Sequence, residues 1–192
     1  MANIVEFFLK KAIEDNKNIS PMKLQKLMFY AQVRNITLLG EKIFEEEPEA
    51  WDNWPVFASL WKEVKYYDLL GKVEEGLVLG EAEMDAPLSW FTEPQKNIIY
   101  QVWEHYGWLP AEKLSEMTHN ETPWKEARQR FDAEATSDEK CQEVITTEAI
   151  KKYYQKQQQY SHIIDEFLLE EAKDIEQMYQ DSLAGKSIFA TS

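Results

Sequence analysis

The residues of this 192-residue chain best suited to nucleophilic or metal chemistry are three histidines and a single cysteine. His119-x-Glu121 matches the opening half of the zinc-deaminase pattern, where a histidine holds the metal and a glutamate moves the proton. The Pro-Cys-x-x-Cys half is missing, because Cys141 stands alone. Cys141 with His119 or His162 spells a thiol–imidazole pair on paper, but scattered residues of these types are more often structural. No glycine-rich phosphate loop, Gly-x-Ser-x-Gly elbow or paired-histidine zinc helix is present. Carboxylates are too numerous for any pair to stand out, and Glu45-Glu46-Glu47 reads as a solvated loop. The expectation is therefore no catalysis, no cofactor and no metal. His119 precedes a helix start, so its ring reads as bonded to that turn, with partner contact as the alternative.

Composition narrows the function classes further. A 44% hydrophobic content over 192 residues suits one packed domain. The formal charge of −14 opposes binding to nucleic acid and favours a basic protein partner. The aromatic residues are interleaved with acids rather than lysines, which points to core and partner surfaces instead of base stacking. The lone cysteine fits a reducing cytoplasm, and neither a signal peptide nor a membrane-spanning run is expected.

The elements that must position these residues begin with Ser20-Pro21. Serine is a helix N-cap and proline fits the first helical position, where its missing N–H costs nothing. Leu24, Leu27, Met28 and Ala31 then share one face of a helix predicted over Pro21 to Thr37, with Gly40 at its exit. Asn3 caps an earlier helix carrying Val5, Phe8, Leu9, Ala12 and Ile13. Lys42-Ile43-Phe44 and Leu77-Val78-Leu79 are short strand candidates for a small ribbon. Trp51 and Trp54 flank Pro55 in a loop, either as a lid on the core or as an aromatic anchor for a partner. A third helix follows Pro55 and ends at Gly71.

Further along, Thr92 with Gln95 reads as a capping box for a helix closed by Gly107. A short helix restarts after Leu109-Pro110, and Thr122-Pro123 opens the next. Phe131 to Glu143 reads as an exposed connection. Thr146 or Thr147 starts a last helix that is predicted to run past residue 180. The fold class is mainly α: a single helical domain with a small β-ribbon and a long C-terminal helix.

Four short motifs recur in register. They are Leu24-Gln25-Lys26-Leu27 with Tyr30, Ala50-Trp51 with Pro55-Val56, Leu114-Ser115 with His119 and Pro123-Trp124, and Ile150 through Tyr153-Tyr154. Together they resemble the Panacea antitoxin family, which includes SocA-like proteolytic adaptors and phage-associated proteins. The resemblance covers about residues 4 to 154. One departure is Trp54, which stands where the family has glycine; either the loop is reshaped or the ring is displayed to a partner.

The resemblance implies a helical, non-catalytic domain over residues 1–154 that captures a protein toxin directly. Residues 155–192 form an extension whose Ile164, Phe167, Leu168, Ile175 and Met178 recur at helical spacing. That stripe is expected to bind the toxin in a helix-in-groove mode, or else to pack on its own domain or in a homodimer. The alternative functions are a phage or mobile-element inhibitor of a host enzyme, and an adaptor that delivers a toxin to a protease.

Overall fold

The computed structural model describes residues 1–17, 19–52, 54–69, 86–134 and 141–157. Helix α1 spans Ala2–Glu14 and α2 spans Pro21–Leu39. Strands β1 (Glu49–Ala50) and β2 (Pro55–Val56) pair antiparallel, with Glu49 opposite Val56 and Ala50 opposite Pro55. Then come α3 (Ala58–Leu69), a 3-10 turn at Ala86–Leu88, α4 (Glu93–Tyr106), α5 (Ala111–Asn120), α6 (Thr122–Glu134) and α7 (Thr147–Gln157). The predicted strand at 77–79, the end of the third helix at Gly71 and the extension stripe from Ile164 to Met178 lie outside the described residues.

Helix α2 is the axis of the molecule. Its start follows the sequence closely, since Ser20 Oγ accepts from the Lys23 N–H at 3.2 Å and Pro21 occupies the first turn. Its end is set by Gly40, whose φ of +80° is a left-handed cap that glycine adopts without strain. α1, β2, α3, α4, α5 and α7 all pack against it. Over residues 23–33 the helix is therefore buried on every side rather than along one stripe, and Lys23, Gln25, Lys26, Gln32 and Asn35 are buried along with Leu24 and Leu27.

Buried polar groups must find hydrogen bonds or lose several kcal/mol of solvation. On α2 each of them pins a neighbouring segment. Lys23 Nζ donates to Gly107 O at the end of α4. Gln25 donates to Phe57 O at 3.2 Å and accepts from Phe57 N at 3.0 Å, fixing the β2–α3 junction. Gln32 accepts from the N–H groups of Ile43 and Phe44 and donates to Phe44 O. Asn35 donates to Glu41 O at 2.9 Å.

The Gln32 bonds correct one expectation. Residues 42–44 do not form a strand, because a side chain of α2 takes the N–H groups that a strand would need; the ribbon forms at 49–50 and 55–56 instead. Nor is Glu45-Glu46-Glu47 a merely solvated loop. Glu46 accepts from Ser59 N and Oγ at the start of α3. Glu47 Oε1 accepts from Thr147 N at 2.8 Å and Thr147 Oγ1 at 2.7 Å, 100 residues away at the start of α7. A carboxylate there answers both the orphan N–H groups and the positive end of the helix.

Three smaller differences have local causes. Met1, not Asn3, precedes α1, and Asn3 Nδ2 bonds Pro87 O at 2.9 Å. Phe131 to Glu134 continue α6 rather than opening an exposed connection, and Cys141 is buried in the core at 1% exposure. His119 lies in the last turn of α5. The remaining cap expectations agree with the structure: Gln95 accepts from Thr92 N, and Thr146 Oγ1 accepts from Ala149 N.

Candidate functional site

The motif residues meet on the side of α2 that faces α5, α6 and α7. Lys26 is wholly buried, and its ammonium nitrogen lies 2.6 Å from Thr118 Oγ1. The Thr118 hydroxyl donates its own proton to Ser115 O at 3.0 Å, so its oxygen is left to accept from lysine. The Trp54 ring lies over the same nitrogen, 5.6 Å from it. One turn further along α2, Tyr30 Oη donates to Glu121 Oε1 at 3.2 Å. Tyr30 stacks on Tyr106 with ring centroids 4.3 Å apart, and Arg34 covers the Tyr106 ring.

Glu121 sits in the one-residue break between α5 and α6. Tyr154 from α7 faces it, and its hydroxyl, like that of Tyr30, favours the charged carboxylate. The electrostatics follow from burial. Desolvation lowers the Lys26 ammonium to about 7, partly offset by the Glu121 charge. Desolvation raises Glu121 to about 7, partly offset by the facing tyrosine hydroxyls and by Lys26. Burial also pushes Tyr30 and Tyr154 well above the ordinary phenol value, with Glu121 adding to both. Lysine and glutamate are thus matched near neutrality in a setting where either lone charge is costly.

Beside this cluster the 49–56 ribbon is tied to α6. Trp124 Nε1 donates to Trp51 O at 3.1 Å, and Arg128 pairs with Asp52 at 2.8 Å. His119 and Trp124 rings lie 4.7 Å apart, and Trp51 packs edge-on to Trp61. Pro55, Val56 and Pro123 are buried, and Leu24 and Leu27 belong to the apolar core. An open depression of about 400 Å³ lies next to Thr118, lined by Met22, Glu112, Ser115, Glu116, His119 and Asn120.

Trp54 is half-buried, with its ring over Lys26. Among the described residues, no group of three or more His, Cys, Asp or Glu side chains is placed to hold a metal. None of the described helices is long and apolar enough to cross a membrane.

The model of the antitoxin SocA-like Panacea domain matches residues 24–125, more than half of the chain. The chain belongs to the Panacea family. No curated protein matches it, and no solved structure does. The matched span runs from Leu24 on α2 to Lys125 on α6, so it contains both halves of the Lys26–Thr118 contact.

Thr118 and Gln32 were absent from the sequence-level candidates, Gln25 appeared only inside a motif, and Glu121 was weighed only as half of a zinc pattern. Thr118 and Glu121 had one available signal: they flank His119 in the same motif. Tyr154 appeared there only as the aromatic end of the last motif.

Proposed function

We propose that this Panacea-family chain is an antitoxin that neutralises a protein toxin by binding it directly. The observation that carries the reading is the family match over residues 24–125. The domain acts as scaffold without catalysing a reaction, and the inward packing of Lys26, Tyr30, Trp54 and Trp124 supports that division of labour. The partner is a basic protein of the cytoplasm, in keeping with a net charge of −14. The grip comes from residues 155–192, where Ile164, Phe167, Leu168, Ile175 and Met178 form a face for a groove on the toxin.

The charge also favours a second reading, an inhibitor that occupies the basic groove of a host nucleic-acid enzyme. Co-expression with the adjacent gene separates the two. Growth rescue of a toxic neighbour supports the antitoxin, and loss of rescue on deleting residues 158–192 supports the grip. A neighbour that is harmless alone moves the weight to the inhibitor.

A further inference from the structure

We propose that residues 163–181 fold back along the outer side of α7 as a second, antiparallel helix, with Glu166, Glu170 and Glu171 set against Lys156, Lys152 and Lys151. The inference concerns the free chain and stands apart from the antitoxin reading.

Helix α7 buries Ile150 and turns Lys152, Gln155 and Lys156 to the surface. Glu148, Lys151, Lys152 and Lys156 line one open groove along that side. A second depression, of about 360 Å³, opens between α6 and α7, where Pro123, Ala149 and Tyr153 lie beside Lys152 and Lys156. Among the described residues the three lysines have no carboxylate partner. A local surplus of positive charge therefore stands on a chain of net charge −14 and suits a segment rich in carboxylates.

The chain beyond α7 carries that segment in a matching order. Lys151, Lys152 and Lys156 are one and four residues apart, and Glu166, Glu170 and Glu171 are four and one apart. The two sets are mirror images about Ser161. Antiparallel helices need this mirror, because both rise by about 1.5 Å per residue in opposite directions. One register thus brings Lys156 beside Glu166, Lys152 beside Glu170 and Lys151 beside Glu171. In the same register Glu148 falls within one residue of Lys173, and Ile175 and Met178 reach the start of α7, where Val144 is exposed.

Two further features favour a fold-back over one unbroken helix. Lys156 lies in the last turn of α7, and Asp165 and Glu166 come early in the next stretch; cations suit a helix C-terminus and carboxylates an N-terminus. Residues 158–162 are an ordinary length for a connection between antiparallel helices, and the tether holds the segment at an effective concentration on the order of millimolar. Exposed ion pairs alone contribute little. Seating the stripe of Ile164, Phe167 and Leu168 in the depression between α6 and α7 supplies the rest, and the lysines fix the register.

Hydrogen exchange of the full chain at low salt, with light scattering on the same sample, tests this. The expected result is a monomer whose amides at 163–181 are protected. Lys152→Glu and Glu170→Lys should each speed exchange there roughly threefold to fivefold, and the double reversal should restore the wild-type rate. Unprotected amides at 163–181 in a monomer overturn the fold-back. So does a dimeric mass, or protection that rises with protein concentration, since either seats a second copy on the lysines through the same register. A double reversal that exchanges as fast as the single variants overturns the pairing.

Discussion

Lys26 and Thr118 lie 92 residues apart in the chain and 2.6 Å apart in the fold, a lysine wholly out of water whose hydrogen-bond partner is a threonine hydroxyl. Their dependence is one-sided. Thr118 has a second bond to Ser115 O, whereas Lys26 has, among the described residues, the Thr118 hydroxyl as its hydrogen-bond partner, beside the face of Trp54 and the charge of Glu121. Thr118→Val should therefore destabilise the domain by about 1–3 kcal/mol, the cost of stranding a buried donor. The Lys26→Met/Glu121→Gln double variant, which removes both buried ionisable groups, should be more stable than Lys26→Met alone, which leaves Glu121 buried without its cation. Urea unfolding midpoints check both predictions, and a double variant no more stable than Lys26→Met would contradict the account.

The pH dependence of global stability has a definite sign. Glu121 holds its proton up to about 7 in the folded state, against 4.5 as its ordinary value. Between those values the folded chain binds the extra proton, so its contribution to stability falls as pH rises. Lys26 works the other way above pH 7, where the unfolded chain keeps the proton that the folded chain has lost. The stability of wild type relative to Glu121→Gln should thus decline from pH 5 to pH 7. A rise over that interval would be the contrary result.

Glu47 caps a helix that begins 100 residues later. Glu47→Ala removes both bonds to Thr147 and should cost about 1–2 kcal/mol, in the range of other lost N-caps. The loss should be concentrated in α7, visible as faster amide exchange at residues 147–157 with little change in α4. Equal loosening of both helices would count against the cap.

Gln32→Leu is expected to be among the most damaging single changes on α2. It strands the N–H groups of Ile43 and Phe44 and the carbonyl of Phe44 inside the protein. At about 1 kcal/mol or more for each stranded group, the total reaches roughly 3 kcal/mol. Thermal denaturation by circular dichroism measures it, and a shift of less than about 2 °C would be inconsistent with these bonds.

How far the sequence reached depended on the range of the interaction. Ser20, the Thr92–Gln95 pair and Thr146 are local signals, and each caps the helix it was expected to cap. The apolar stripe of Leu24, Leu27, Met28 and Ala31 also lies in the core. The same stripe concealed the surroundings of Lys26, Gln25 and Gln32, because a one-sided pattern implies that polar residues face water. Their burial depends on six elements closing round α2, and their partners lie 11 to 92 residues away. The ribbon was misplaced for the same reason: nothing near Ile43 in the chain reveals that Gln32 takes its N–H.

The most direct test of the central claim is light scattering on the product of co-expressing this chain with its neighbouring gene, eluted from a sizing column. Neutralisation by direct binding predicts a single species whose mass accounts for both chains, dissociating when residues 158–192 are removed. Growth rescue with the two chains eluting separately would contradict it and point to neutralisation without a stable complex.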